Sequence, residues 1–479
     1  AAGRIWSTPS TKGLMSISTI SESLEQRTLR RVTVRIVPFV VALYFVNYLD
    51  RTNLGIAKAD VSRDLQLSAT MFGLAAGIFF IGYLLVEIPS NLALERFGAR
   101  RWLARIAVSW GIVAAAIGFA PNVHTLLALR FLLGVAEAGL FPGVIFYLSC
   151  WFPHAYRARV VAMFMLASPI AAAVGTPLAA WLIQTGDGAF GLAGWRFMMV
   201  AVGLPAVVLG VICWFYLTDT PTDAHWLAPD ERQWLVDTLA AEQRQIRDGF
   251  DFPLRRALTS PRIWALAIVY FGIAYGLYAL SFFLPSIISG FRKSFGMTLS
   301  IVQVGLITSV PYIFAAMAMY LWSRHADRHR EHVWHVAIPL AVGGAAIPLA
   351  LYLHSPLLVM IPVTITAIGV FSAIPSFWAL PSRFLTGAAA AGGIGLINSV
   401  GNLGGFVAPY ATGALADLTG SEKAGMWAVG TVMIAAAVLV VALRATPSGG
   451  IAEASRQPPQ YLPSPPVAGT DDQPSRERW

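Results

Sequence analysis

The sequence predicts an all-α membrane protein whose twelve transmembrane helices form two six-helix bundles, and three observations predict it. Of the 479 residues, 56% are hydrophobic and 12% charged, where a soluble domain carries about 25% charge. The apolar residues fall into twelve runs, each long enough for the roughly 20 residues that a hydrocarbon core of about 30 Å demands. The single long polar stretch between runs, 218–261, divides them six and six. Helices are required because a lipid-exposed strand leaves backbone groups unpaired, and a barrel would show short alternating segments.

Taken in order, a polar, basic segment, 1–35, precedes the first span and lacks the short apolar core and cleavage site of a signal peptide. Spans at 36–57, 71–94, 102–121, 125–150, 158–184 and 195–217 make an N-terminal bundle, 36–217. Internal prolines such as Pro142, Pro169 and Pro177 are compatible with this, since neighbouring helices satisfy the backbone groups they free. In the central loop, 218–261, the acidic turn Asp230-Glu231 after Pro229, followed by apolar residues at helical spacing, predicts a surface helix. Spans at 262–289, 299–322, 333–354, 357–380, 389–415 and 425–445 make a C-terminal bundle, 262–445. The tail, 446–479, is rich in Pro, Ser and charge and is expected to be disordered.

Positive charge sets the expected orientation. With the N-terminus inside, the inside segments hold 26 Lys and Arg and the outside loops 6, a bias that places both termini in the cytoplasm. The net charge of +9 is therefore a topology signal, and a nucleic-acid partner is not expected. Cys150 and Cys213 lie in apolar runs and read as packing residues. His325, His329, His332 and His335 read as a solvated basic loop without a metal frame. No phosphate-cradling loop, zinc motif or nucleophile elbow occurs, so neither an enzyme nor a cofactor is expected and the energy source should be an ion gradient.

Five ionisable residues fall inside the spans: Asp50, Arg51, Glu87, Arg130 and Glu137. A charge at the centre of a membrane helix costs about 2.5–3.5 kcal/mol on an insertion scale, so such residues face a cavity or a partner. Arg130 and Glu137 are seven residues apart, about 10.5 Å along one helix face. An Arg presents a planar fork to a carboxylate, and a buried Asp or Glu can take up a proton. These are the parts of a proton-coupled carrier for an organic anion. Buried structural ion pairs are the alternative for the same residues. Glu87, beside Pro89, reads as gating or structural. Asn398 and Asn402 share a face of the eleventh span, and Tyr278 and Trp378 lie in the seventh and tenth. Each reads as either pocket lining or helix packing. An acid followed by bases recurs after spans 2 and 8, as Glu95-Arg96 with Arg100-Arg101 and as Asp327-Arg328, a trace of duplication.

Asn47-Tyr48-Leu49-Asp50-Arg51-Thr52-Asn53-Leu54-Gly55, the stretch from Pro89 to Arg101, and Arg130-Phe-Leu-Leu-Gly-Val-Ala-Glu137-Ala-Gly resemble the signatures of the major facilitator superfamily, and within it the anion:cation symporter family. Gly194-Trp195-Arg196 and the motif around Asn398 and Asn402 are similar to its tartrate-like carboxylate permeases. The resemblance implies alternating-access symport of a carboxylate with protons. It implies proton sites at Asp50 and Glu137, substrate contacts at Arg51, Tyr48, Tyr83 and Asn398 or Asn402, and Arg130 as partner of the acids. Glu87, Glu95, Arg96, Arg100, Arg101, Asp327 and Arg328 fall to gating and the loop motif. Asn91 and Glu95 depart from that motif's Gly and Asp, and Ser168 stands where sugar-acid carriers have Gln, which favours a small dicarboxylate or an aromatic acid. The expected protein is a monomer in the lipid bilayer that imports an organic anion with H+. A proton-independent exchanger or facilitator, or a substrate-sensing receptor on a carrier fold, are the alternatives.

Overall fold

A computed structural model describes residues 12–248, 259–291, 295–381 and 387–445. The tail expected to be disordered, 446–479, lies outside them. The first six spans are α1 (Lys12–Ile56), α3 (Ala69–Phe97), α4 (Ala99–Ile117), α5 (Val123–Glu137) with α6 (Leu140–Ser149), α7 (His154–Met165) with α8 (Ala167–Gly186), and α9 (Gly194–Tyr216). A short α2 (Lys58–Asp64) follows α1, and α10 (Pro229–Asp248) is the surface helix expected in the central loop. The second six are α11 (Pro261–Ser289), α12 (Ile301–His329), α13 (Val333–Leu349), α14 (Pro356–Trp378), α15 (Gly387–Thr419) and α16 (Lys423–Ala445).

Ten of these units are long and apolar enough to cross a membrane. The other two are α4, which carries Arg100, Arg101 and Arg105 in its first turns, and α15, whose Gly and Asn residues dilute its apolar surface. Both are packed among the rest, α4 on α9 and α15 on α3 and α11.

Three local features differ from the sequence expectation. Segment 1–35, read as a polar leader to the first span, is helical from Lys12 and continuous with it. Arg27 and Arg31, one turn apart, bond Asp230 and Glu231 of α10 at 2.7–2.8 Å, which draws the extension into a helix pair. The fourth span is broken after Glu137. Ala138 takes an extended ψ, Gly139 has φ +90°, and the Ser90 hydroxyl donates to the freed Ala138 carbonyl at 2.6 Å. The histidines are not all in a solvated loop. His332 and His335 are buried, and His335 Nε2 lies 2.7 Å from His325 Nδ1 because α12 and α13 pack side by side there.

The two bundles meet along α3–α15, α8–α12 and α1–α11. Small residues bring the backbones together. A Cβ on Gly73 would lie 2.2 Å from the Pro409 carbonyl, and one on Gly413 2.2 Å from that of Ala69. At the end of the molecule opposite α10, Asp417 accepts from the Ala69 and Thr70 amides and the Thr70 hydroxyl at 3.2, 2.8 and 2.6 Å, so that α15 caps α3. Lys58 pairs with Glu422 at 3.2 Å at the same end. The bundles are thus fastened together at the end away from α10.

Candidate functional site

Four ionisable residues, Asp50, Arg51, Arg130 and Glu137, converge in the N-terminal bundle. Close helix approach makes this possible: Gly134 of α5 rests on α3, where a Cβ would stand 1.9 Å from the Phe79 carbonyl, and Gly82 of α3 faces the Phe131 carbonyl at 2.3 Å. From that contact the Arg130 fork reaches two α3 carbonyls, Ala75 at 3.0 Å and Ala76 at 3.1 Å. Arg130 therefore donates to backbone, whereas the resemblance implied an acid as its partner.

Arg51 crosses from α1 to the last turn of α5. Its Nε and Nη2 donate to the same Glu137 oxygen, at 2.7 and 2.5 Å, and its Nη1 donates to the Tyr278 hydroxyl of α11 at 3.0 Å. One guanidinium thus joins an acid of one bundle to a phenol of the other. The second Glu137 oxygen, fully buried, has no hydrogen-bond partner among the described residues. Asp50, 4% exposed, accepts from Trp110 Nε1 of α4 at 3.2 Å. The Phe79 ring takes both guanidinium groups, 5.4 Å from Arg51 and 5.3 Å from Arg130, and Tyr83 lies 5.5 Å from Arg51. Cations hold to aromatic faces in this way, and the ring is an apolar support for two like charges.

Asp50, Arg51, Phe79, Phe80, Arg130, Leu133, Glu137 and Phe282 line one cleft, and their side chains pack too closely to leave room for a water. A substrate therefore enters only when the bundles part. Tyr48, one turn from Arg51 on α1, is buried with its hydroxyl unpartnered among the described residues. The amides of Asn47 and Asn53 are in the same condition. An unpaired buried polar group is costly, yet none of the three lines the cleft.

The remaining expected residues are placed elsewhere. Asn398 donates to Glu87 across the α3–α15 seam, and the adjacent Ser399 does so at 3.2 Å. Asn402 is buried one turn further along α15. Trp378 packs on Tyr270 with ring centroids 4.8 Å apart and does not line the cleft. Glu95, Arg96, Arg101, Asp327 and Arg328 are exposed at the α10 end. The acid that holds the α3–α4 turn is instead Asp219 of the central segment, which accepts from the Arg100 amide at 2.8 Å and packs on Gly98, φ +88°. Ser168 spends its hydroxyl on the Met165 carbonyl of its own helix. Sequence reasoning missed Trp110, Phe79 and Ser399. Only Ser399, beside Asn398 in a polar patch, left a signal.

Comparison with known proteins agrees with this architecture. Residues 40–409 match the family model of the Major Facilitator Superfamily. A protein of Agrobacterium vitis named "Putative tartrate transporter" is 46% identical over 432 residues, covering 90% of this chain and 98% of that one. "Inner membrane transport protein RhmT" of Escherichia coli strain K12 is 35% identical over 426 residues, covering 89% and 97%. Among solved structures, the xylose transporter XylE from E. coli, in a partially occluded inward open conformation, superposes with a TM-score of 0.69 at 14% identity, covering 86% of this chain and 99% of that one. That last likeness is one of fold.

Proposed function

The chain belongs to the Major Facilitator Superfamily, whose members carry solutes across membranes, and from that premise we propose that it is a proton-coupled symporter importing a small carboxylate by alternating access. The observation that carries the proposal is the Arg51 fork, closed on Glu137 with a third donor on Tyr278. A substrate carboxylate is the natural competitor for that fork, since planar guanidinium and carboxylate groups match in shape and charge. Protonation of Glu137 removes the charge that holds Arg51 and frees it for the anion. Asp50, the other buried acid of the cleft, is the second proton site, and Arg130 keeps α3 and α5 in register while supplying positive potential. Tyr48, Tyr83 and Tyr278 lie where they can complete the pocket. The name carried by the Agrobacterium relative supports a tartrate-like dicarboxylate, and an aromatic acid is the other substrate class that fits.

In the cell the protein is proposed to lie as a monomer in the bacterial inner membrane with both termini in the cytoplasm. The excess of 26 basic residues over 6 on the α10 side supports that orientation. The α10 end then faces the cytoplasm, and the segments 36–217 and 262–445 are the two units that rock about the central cleft. External protons load Glu137 and Asp50, the anion pairs with Arg51, the bundles reverse, and proton release inside returns Arg51 to Glu137 and expels the anion.

Reconstituted vesicles test this. Tartrate and an aromatic acid are offered with an inward proton gradient, with and without a protonophore. Gradient-driven accumulation that the protonophore abolishes is the expected result. Uptake indifferent to the protonophore would leave an exchanger or facilitator, and binding without uptake a receptor.

A further inference from the structure

The third buried acid of the membrane spans lies outside the cleft. Glu87 is 3% exposed, in the seam between α3 and α15. Both its carboxyl oxygens are occupied by neutral donors of the opposite bundle, Asn398 Nδ2 on one and Ser399 Oγ, at 3.2 Å, on the other. The charged or titratable groups that face it are Tyr83 from α3 itself, Tyr270 from α11 and Arg51 from α1. Arg51 is committed to Glu137 and Tyr278, so among the described residues Glu87 has no cation of its own.

We propose that Glu87 is a further proton-carrying site, set in the seam between the bundles, whose loading holds that seam shut. An ionised carboxylate without a countercharge is costly to bury, whereas water solvates it freely once the bundles part. The neutral acid has the opposite preference. Ser399 makes the exchange of states possible: a hydroxyl both donates and accepts, so it can donate to the carboxylate or accept from the carboxylic acid while Asn398 keeps its bond to the other oxygen. A proton arriving at Glu87 therefore favours the closed seam, and its departure favours separation. The site rests on the proton-coupled symport proposed above and adds to it a step in which proton release assists opening.

The test needs neither substrate nor a gradient. In full-length protein with Cys150 and Cys213 changed to Ser, spin labels are placed at Leu92, exposed on α3, and at Gly395 of α15, where an added side chain meets nothing within 4 Å. Distances between them are read from about pH 5.5 to 8.5. The closed population should fall about fivefold or more as pH rises, the size of an ordinary coupling, and should stay constant in Glu87→Gln. Glu87→Asp, which retains an acid, should restore the response and guards against a variant that merely misfolds. A pH-independent distance in the parent protein, or a parent-like response in Glu87→Gln, overturns the proposal. Proton-driven uptake with a pH-independent seam would remove this site alone. Protonophore-insensitive uptake with a seam that responds through Glu87 would remove the symport reading alone.

Discussion

Replacing Glu137 with Gln keeps the shape of the side chain and removes its charge. In the empty site Arg51 gives two donors to one Glu137 oxygen, at 2.7 and 2.5 Å, so an incoming carboxylate has to displace a carboxylate. Hydrogen bonds to charged groups contribute about 1.5–3 kcal/mol and neutral ones about 0.5–1.5 kcal/mol. Because both bonds share one oxygen, the amide weakens the hold on Arg51 by about 1–3 kcal/mol in total. At about 1.4 kcal/mol per tenfold, the variant should bind substrate anion roughly 5–150-fold more tightly than the parent whose Glu137 is ionised. Wherever Glu137 carries a proton the two should converge, since a protonated carboxyl and an amide are both neutral. Calorimetry of purified protein at about pH 6 and pH 8.5 reads the affinities, and vesicles read the coupling: gradient-driven accumulation should vanish while counterflow exchange persists. A Gln variant that keeps the parent's pH-dependent affinity, or still concentrates substrate against its gradient, would refute the competition for Arg51.

Arg51→Lys replaces a fork with a point charge and forfeits at least one charge-assisted bond of about 1.5–3 kcal/mol, so affinity measured by calorimetry should fall about ten- to a hundredfold. Gly134→Ala puts a methyl 1.9 Å from the Phe79 carbonyl, and the overpacking should destabilise the protein by at least about 1–3 kcal/mol, seen as a lower Tm. Gly395→Ala, whose methyl meets nothing within 4 Å, is the control and should leave Tm unchanged or slightly raised by helix propensity. Asp417→Asn weakens the acceptor for the Ala69 and Thr70 amides, and hydrogen exchange in the first turn of α3 should accelerate.

The spans were legible because apolar runs of membrane length have few other uses, and the cleft was legible because charge inside such a run demands a reason. Asp50, Arg51, Arg130 and Glu137 line one cleft although their helices are far apart in sequence. What stayed hidden depends on partners that only the tertiary structure supplies. Glu137-Ala-Gly-Leu reads as continuous helix until Ser90 of α3 is found holding the Ala138 carbonyl. Segment 12–35 is polar and basic in the sequence, and the acids that its Arg27 and Arg31 meet, Asp230 and Glu231, lie about 200 residues away in the chain. Glu87 reads as gating or structural beside Pro89, with no partner in view, until α15 brings Asn398 and Ser399 onto it.

The backbone contacts of Gly73 and Gly413 bear on the route a solute takes. Two helices touching main chain to main chain leave no doorway between them for a molecule dissolved in the lipid. Where α3 meets α15 at these glycines, a molecule in the hydrocarbon finds a wall. The glycines, by bringing the two backbones together, thereby close the side of the molecule along this stretch of the seam.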